Sequence, residues 1–287
     1  MELWQAALSG IIGGAALLIG AAVAWFVDIP KMVVAAIMAA GAGVLISTLA
    51  FELVAEANED GGLVATVTGF LAGAVIYLVA DWLVSRRPSG TDGARAANAT
   101  RAANATNATN GTNGTNGTTA IGTRPGQTAS ASVVARRRAA KLGGGSGAAI
   151  AIGALIDGIP ESIVMGLSVV GGGGLSIPIV AAVAISNIPE GLGSTAELKR
   201  GGAGAGRVFG LWGAIAAVTV VAACVGYLAF QSASPELTAF VTTIAAGGLL
   251  AMVCTTMIPE AFDEQHILTG LWATLGFLAA FVLHEVA

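Results

Sequence analysis

Charge is scarce in this chain. Lysine, arginine, aspartate and glutamate make up 10% of its 287 residues, against about 25% in a soluble globular domain. That excludes a soluble domain of this length. Cysteine is limited to Cys224 and Cys254, both inside apolar runs. No disulfide framework is expected, because buried thiols there behave as small hydrophobes. Histidine occurs twice, at His266 and His284. Neither a His-Glu-x-x-His stretch nor a Gly-x-Ser-x-Gly stretch is present. Intramembrane metalloprotease and serine hydrolase are therefore not expected, and the chain is not read as an enzyme. No lysine or arginine falls deep in an apolar run, which argues against an anionic solute as cargo. The net charge of −4 says little about partners. The bilayer is the expected partner, and no nucleic acid is.

What the chain has in abundance is apolar length. Hydrophobic residues make up 55% of it, and a membrane-spanning helix needs about 20 of them in succession. Eight such runs fit, at roughly 3–27, 32–55, 62–84, 148–170, 175–197, 207–230, 237–259 and 267–286. The expected fold is all-α, a polytopic membrane bundle of eight transmembrane helices. The first run lacks the basic flank of a signal peptide and is too long for one, so it is read as a true span. The five tryptophans (Trp4, Trp25, Trp82, Trp212 and Trp272) fall mostly near run ends and fit an aromatic belt. Gly10 with Gly14, and Gly69 with Gly73, have the four-residue spacing that lets helix backbones approach.

The basic residues set an orientation. Lys31 lies in the first loop. Arg86, Arg87, Arg95, Arg101, Arg124, Arg136, Arg137, Arg138 and Lys141 lie in the third. Lys199, Arg200 and Arg207 lie in or beside the fifth, and these account for all thirteen. Basic loops stay cytoplasmic. Eight spans in the cell membrane then place both termini outside and 85–147 in the cytoplasm. An odd number of spans would scatter the same residues over both sides.

Three regions follow: helices one to three in 1–84, a linker in 85–147, and helices four to eight in 148–287. In the linker Asn98, Asn104, Asn107, Asn110, Asn113 and Asn116 each open an Asn-Xaa-Thr triplet. Such a polar, repetitive tract cannot bury enough surface to fold, so a solvated linker is expected. The triplets are formal glycosylation acceptors, but the cytoplasmic side lacks that machinery. Arg136-Arg137-Arg138 fits an anchor on anionic headgroups.

Two apolar runs near the middle are broken by proline. One reads Ile156-Asp157-Gly158-Ile159-Pro160-Glu161, the other Ile185-Ser186-Asn187-Ile188-Pro189-Glu190. Each places a carboxylate directly after proline, at a depth where ionisable groups are costly and usually functional. Proline has no N–H, so the carbonyls of Ile156 and Ile185 lose their helical partners. Asp157 and Glu161 are four apart and share a helix face. Ser186, Asn187 and Glu190 share one on the next helix. Such oxygen-rich sets suit divalent cations. Packing is the competing reading, strongest for Ser186 and Asn187, which also serve as interhelical glue.

Related phrases close the second and seventh runs: Glu52-Leu53-Val54-Ala55-Glu56-Ala57 and Thr256-Met257-Ile258-Pro259-Glu260-Ala261. Glu52 and Glu56 would face the outer mouth and Glu260 the inner one. The similarity hints at halves related by pseudo-symmetry. Solvated helix ends explain the same acids about as well.

Together these features resemble the ZIP (Zrt-, Irt-like protein) family of metal transporters. In that family the fourth helix carries His-Asn-x-Pro-Glu-Gly and the fifth a similar phrase. The match is close from Asn187 to Gly191. The resemblance implies a metal site, often binuclear, lined by Asp157, Glu161, Ser186, Asn187 and Glu190. It implies acidic or histidine residues near the pathway ends, where Glu52, Glu56 and Glu260 stand. It implies zinc as transported substrate, no prosthetic group, and a homodimer as a common assembly. Asp157 and Ser186 stand where the family has histidine, and Gly158 where it has asparagine. Carboxylate without imidazole favours harder ions, so iron or manganese joins zinc. Two alternatives remain open: a proton- or sodium-coupled carrier of another small solute, and a ZIP-like membrane protein without transport.

Overall fold

The computed structural model describes residues 2–86, 147–170 and 174–286. Apart from its edges, the expected linker at 85–147 lies outside the described residues. The chain divides into two compact units, Met1–Asp81 with Ser146–Ala287, and Trp82–Gly145. The second is described only over 82–86.

Among the described residues all regular structure is helical. The helices are α1 (Leu3–Phe26), α2 (Lys31–Thr48), α3 (Ala55–Arg86), α4 (Gly147–Leu167), α5 (Ile177–Arg200), α6 (Ala205–Phe230), α7 (Pro235–Met252), α8 (Ile258–Gln265) and α9 (Leu268–Val286). Two π-helical turns interrupt them, Leu49–Val54 after α2 and Val253–Met257 after α7. Six described stretches are long and apolar enough to cross a membrane: Leu3–Phe26, Lys31–Leu83, Ile177–Arg200, Ala205–Phe230, Pro235–Gln265 and Leu268–Val286. The fold is thus an all-α membrane helix bundle. α1, with 24 residues, is roughly 36 Å long, more than the ~30 Å hydrocarbon thickness. Lys31–Leu83 runs for 53 residues but is not one straight helix. Gly62 breaks it with φ 77° and ψ 167°, a conformation a side chain would resist.

Local signals explain the starts of α5 and α7. Ser176 and Ser234 stand at their N-caps, each followed by proline within the first turn. Their hydroxyls accept from the backbone N–H of Ile179 and Leu237, satisfying donors the helix cannot. The seventh apolar run reaches further than its hydropathy indicates. It begins at Pro235 and continues through the π-turn into α8, an amphipathic turn ending at Gln265.

Lipid tails are as apolar as leucine, so packing rather than water exclusion holds such helices together. Glycine supplies the close approach here. A Cβ at Gly20 or Gly191 would collide with backbone across the α1–α5 contact. The same holds for Gly10 between α1 and α6, where a Cβ at Gly14 would press on the Ala216 side chain, and for Gly166 and Gly226 between α4 and α6. A second set joins Gly43 and Gly276 between α2 and α9, and Gly73 and Gly247 between α3 and α7. These contacts knit α1, α4, α5 and α6 into one group and join α2 to α9 and α3 to α7; the seam is where α2 meets α5. Across the seam, a Cβ at Gly41 would meet Ser186 Cα at an ordinary 3.5 Å.

Two apolar clusters fill the interior. The larger gathers Leu45, Leu49 and Leu53 with Met165, Val183, Leu249 and Met257, so both π-turns pack into it. The smaller surrounds Leu17, Leu198 and Trp212. Trp212 is fully buried and donates to Thr195 Oγ1 at 2.8 Å. It is therefore a core residue, unlike the exposed Trp4, Trp82 and Trp272, which suit an interfacial belt.

The helix ends fall into two groups. Lys199 Nζ donates to Trp25 O at 3.0 Å and pairs with Asp28 at 3.2 Å. Lys31 pairs with Glu264 at 3.7 Å, and Gln265 bonds the Met32 carbonyl. The α1–α2 turn, the end of α5 and α8 therefore share one end. At the other end of α1, Glu2 accepts from Tyr227 Oη at 3.2 Å, near the end of α6. There too Glu52, after α2, meets His284, near the end of α9.

Candidate functional site

Both prolines stay inside their helices, Pro160 in α4 and Pro189 in α5. The helix therefore continues past each missing N–H, and the carbonyl one turn back is released. That of Ile185 turns to the seam, where a Cβ at Gly41 would lie 3.7 Å from it.

Glu161 follows Pro160 and is only 2% exposed, an acid within the interior. Its neighbour Ser162 is also buried and donates to Gly158 O at 2.6 Å. On α5, Ser186 and Asn187 are buried and Glu190 is half-buried. Ser186 Oγ donates to Val183 O at 2.9 Å, within its own helix. Asn187 Nδ2 crosses to α1 and donates to Gly13 O at 3.0 Å. The interhelical-glue reading of Asn187 thus has a specific bond behind it. Gly13 is the junction of three helices, since a Cβ there would also press on Met165 of α4 and Val183 of α5. The α1 backbone, although free of acids at this depth, sets the spacing of the two proline helices.

Asp157 lies one turn before Glu161 in α4, and its side chain lies outside the described residues. Of the expected trio Asp157, Glu161 and Glu190, the structure describes two. Among the described residues no group of three or more His, Cys, Asp or Glu side chains stands ready to hold a metal ion.

The residues expected near the pathway ends are widely separated. Glu52 lies in the first π-turn and Glu56 is exposed at the start of α3, beside exposed Glu59 and Asp60. Glu260 is half-buried in the first turn of α8. α8 adjoins the start of α9, whereas Glu52 meets α9 at His284, about 24 Å along its axis.

Glu52 has a partner that sequence reading missed. His284 Nδ1 lies 2.5 Å from Glu52 Oε1, and Phe51 stacks on the imidazole with ring centroids 5.9 Å apart. Phe51 also packs against Phe277 and Phe281. These residues are more than 200 positions apart in sequence, so no local motif joins them. The glutamate side chain is 14% exposed and the histidine 35%. Removing one partner of a fully buried pair costs about 3–5 kcal/mol. With the imidazole partly exposed, His284→Ala is expected to cost about 1–2 kcal/mol. Thermal unfolding in detergent reads that loss, and an unchanged midpoint would show the pair to be ornamental.

The second π-turn carries a smaller contact. Tyr77 of α3 and Thr256 share a hydrogen bond at 3.4 Å. π-turns inside helices are frequent at functional sites, and here each adjoins one of the two acidic phrases. Sequence similarity between those phrases is short, yet both follow an 18-residue helix and both contain the wide turn.

Comparison with protein-family models and with curated proteins finds no match. What stands is the class: an all-α, membrane-embedded helix bundle with a buried acid beside a proline.

Proposed function

We propose that this chain is a multi-pass carrier that moves divalent metal cations through the bilayer into the cytoplasm, similar in plan to ZIP transporters. The observation that carries this reading is the burial of Glu161 directly after Pro160, with Ser186 and Asn187 buried one turn before Glu190 on α5. An acid held in a low-dielectric interior needs a cation or a proton to balance it.

In this reading Asp157, Glu161 and Glu190 supply carboxylate oxygens to the cargo. Asn187 would use its Oδ1, because Nδ2 is committed to Gly13, and Ser186 keeps lone pairs while its proton serves Val183. A set made of oxygens takes zinc, iron or manganese, and carboxylate weights it toward the harder ions. Metal would pass Glu52 and Glu56 from outside and leave past Glu260.

Eight crossings suit the structure. Gly62 divides Lys31–Leu83 into two lengths, and α4 adds a further apolar helix of 21 residues. The two groups of helix ends agree with alternate crossing, and the basic loops favour both termini outside. The glycine contacts give alternating access its moving parts. The group α1, α4, α5 and α6 carries every proposed ligand, and it meets α2 at Gly41, where a Cβ would find only ordinary contact distances, so sliding costs less there than across the tight glycine contacts within the group.

Uptake of Zn, Fe or Mn into vesicles, compared with Glu190→Ala, tests the reading. Wild-type chain should load metal and the variant should not. Equal loading by both would sink the carrier. A second reading, a ZIP-like protein without transport, is favoured by the Asn187–Gly13 bond. If Asn187 is glue alone, Asn187→Ala costs about 0.6–1.7 kcal/mol of stability and leaves metal affinity unchanged. If it is also a ligand, affinity falls with it.

A further inference from the structure

An apolar crevice lies between α3, α4 and α7. Its walls include Ile76, Tyr77, Ile156, Pro160, Gly248 and Met252, and it encloses about 190 Å³. A second, shallower hollow shares Ile156 and Pro160 and adds Ile159. The crevice thus sits against the α4 proline turn, on the face away from α1 and α5.

Water does not suit it. A bound water needs two to four polar partners; the hydroxyl among these walls, on Tyr77, is already engaged with Thr256, and the carbonyl that Pro160 releases at Ile156 is a single acceptor, short of that number. An apolar cavity of about 150 Å³ stays dry and takes up hydrocarbon instead. The crevice is also continuous with the surface that faces the bilayer. Ile76, at its edge, is 57% exposed and belongs to the apolar belt of Leu71, Val75 and Val79 on α3, while Ile159 of the adjoining hollow is 37% exposed. Hydrocarbon is the solvent on that side. An unfilled hollow there would forfeit dispersion contacts on every wall.

We propose that this crevice is a binding site for a lipid acyl chain, taken from the surrounding bilayer. A flexible chain can follow the wall past Pro160, and the volume suits a segment of one chain rather than a fused-ring lipid. Glycine shapes the floor. A Cβ at Gly73 would strike the Ile244 backbone, whereas one at Gly248 would meet Gly73 O at 3.6 Å and Tyr77 Cβ at 3.9 Å, ordinary contact distances. A larger side chain at 248 therefore enters the crevice without forcing α3 from α7. The proposal does not depend on the metal reading.

The test uses the full chain in phosphatidylcholine vesicles doped with a phosphatidylcholine bearing a diazirine midway along one acyl chain. After irradiation, adducts are mapped by mass spectrometry. Adducts at Tyr77, Ile156 and Met252 should exceed those at the belt residue Leu71 and at Leu278, which is 49% exposed on α9. Gly248→Leu should remove the excess and leave belt labelling unchanged. Gly270→Leu, at a position with open space on α9, should change neither. Should Gly248→Leu fail to fold, Ala80→Leu fills the same crevice from α3. Three results would overturn the proposal: no excess over the belt, an excess that survives the filling variants, or cross-links showing that the chain's own 87–146 segment occupies the walls.

Discussion

Glu161→Gln is expected to lower metal uptake by at least about a hundredfold while leaving the helix bundle assembled. Glutamine keeps the volume of the side chain and its capacity for hydrogen bonds, so a residue that is 2% exposed meets nearly the same packing. What it loses is the negative charge and one strong oxygen donor. Changes merely adjacent to metal ligands weaken affinity 10–100-fold, so loss of a ligand itself should reach at least the upper figure. Two measurements belong together, uptake into vesicles and thermal unfolding. Lost uptake with an unchanged unfolding midpoint assigns the residue to the cargo. Full uptake by the variant would remove Glu161 from the pathway, and with it the centre of the proposed site.

The second large effect concerns packing. Gly20→Val should destabilise the protein by about 3 kcal/mol, the upper end of what overpacking costs. The reason is positional: a Cβ there would strike the Ile188 carbonyl of α5, so α1 and α5 must separate. A loss of that size lowers Tm by roughly 6–12 °C in domains of 150–250 residues, and this chain of 287 should fall toward the lower figure. It would also break the Asn187–Gly13 bond and disturb the site. Gly193→Val, on α5 but with open space around it, should shift Tm by no more than a degree or two. Similar shifts for both variants would show that glycine contacts do not hold this group together.

The two variants probe what was and was not legible in the chain. Hydropathy marked 3–27, 175–197 and 207–230, and α1, α5 and α6 lie on those runs. It could do so because apolar length is a property of each segment alone. The proline turns were equally visible, since the missing N–H is written in the sequence. The glycine spacings were read as packing signals, but a spacing names no partner. That Gly20 meets α5 while Gly43 meets α9 depends on the whole assembly. His284 belongs to no motif in the sequence, and its pairing with Glu52 is a long-range contact no local pattern encodes. Position near a run end groups Trp212 with the belt tryptophans. Its side chain instead turns inward to Thr195, where its indole N–H finds an acceptor.

The π-turns were the least foreseeable feature, because no residue type demands one. Each holds more chain per turn than the α-helix on either side, in effect a ruck of one surplus residue. A ruck can travel: shifting it by a turn swivels the backbone it passes by about 100°, one residue's share of a 3.6-residue helix. Glu52 and Thr256 ride on the two rucks, so such a shift would re-aim both, at the cost of turning Leu49, Leu53, Val253 and Met257 out of the apolar cluster. Stiff rods would have to tilt to achieve as much.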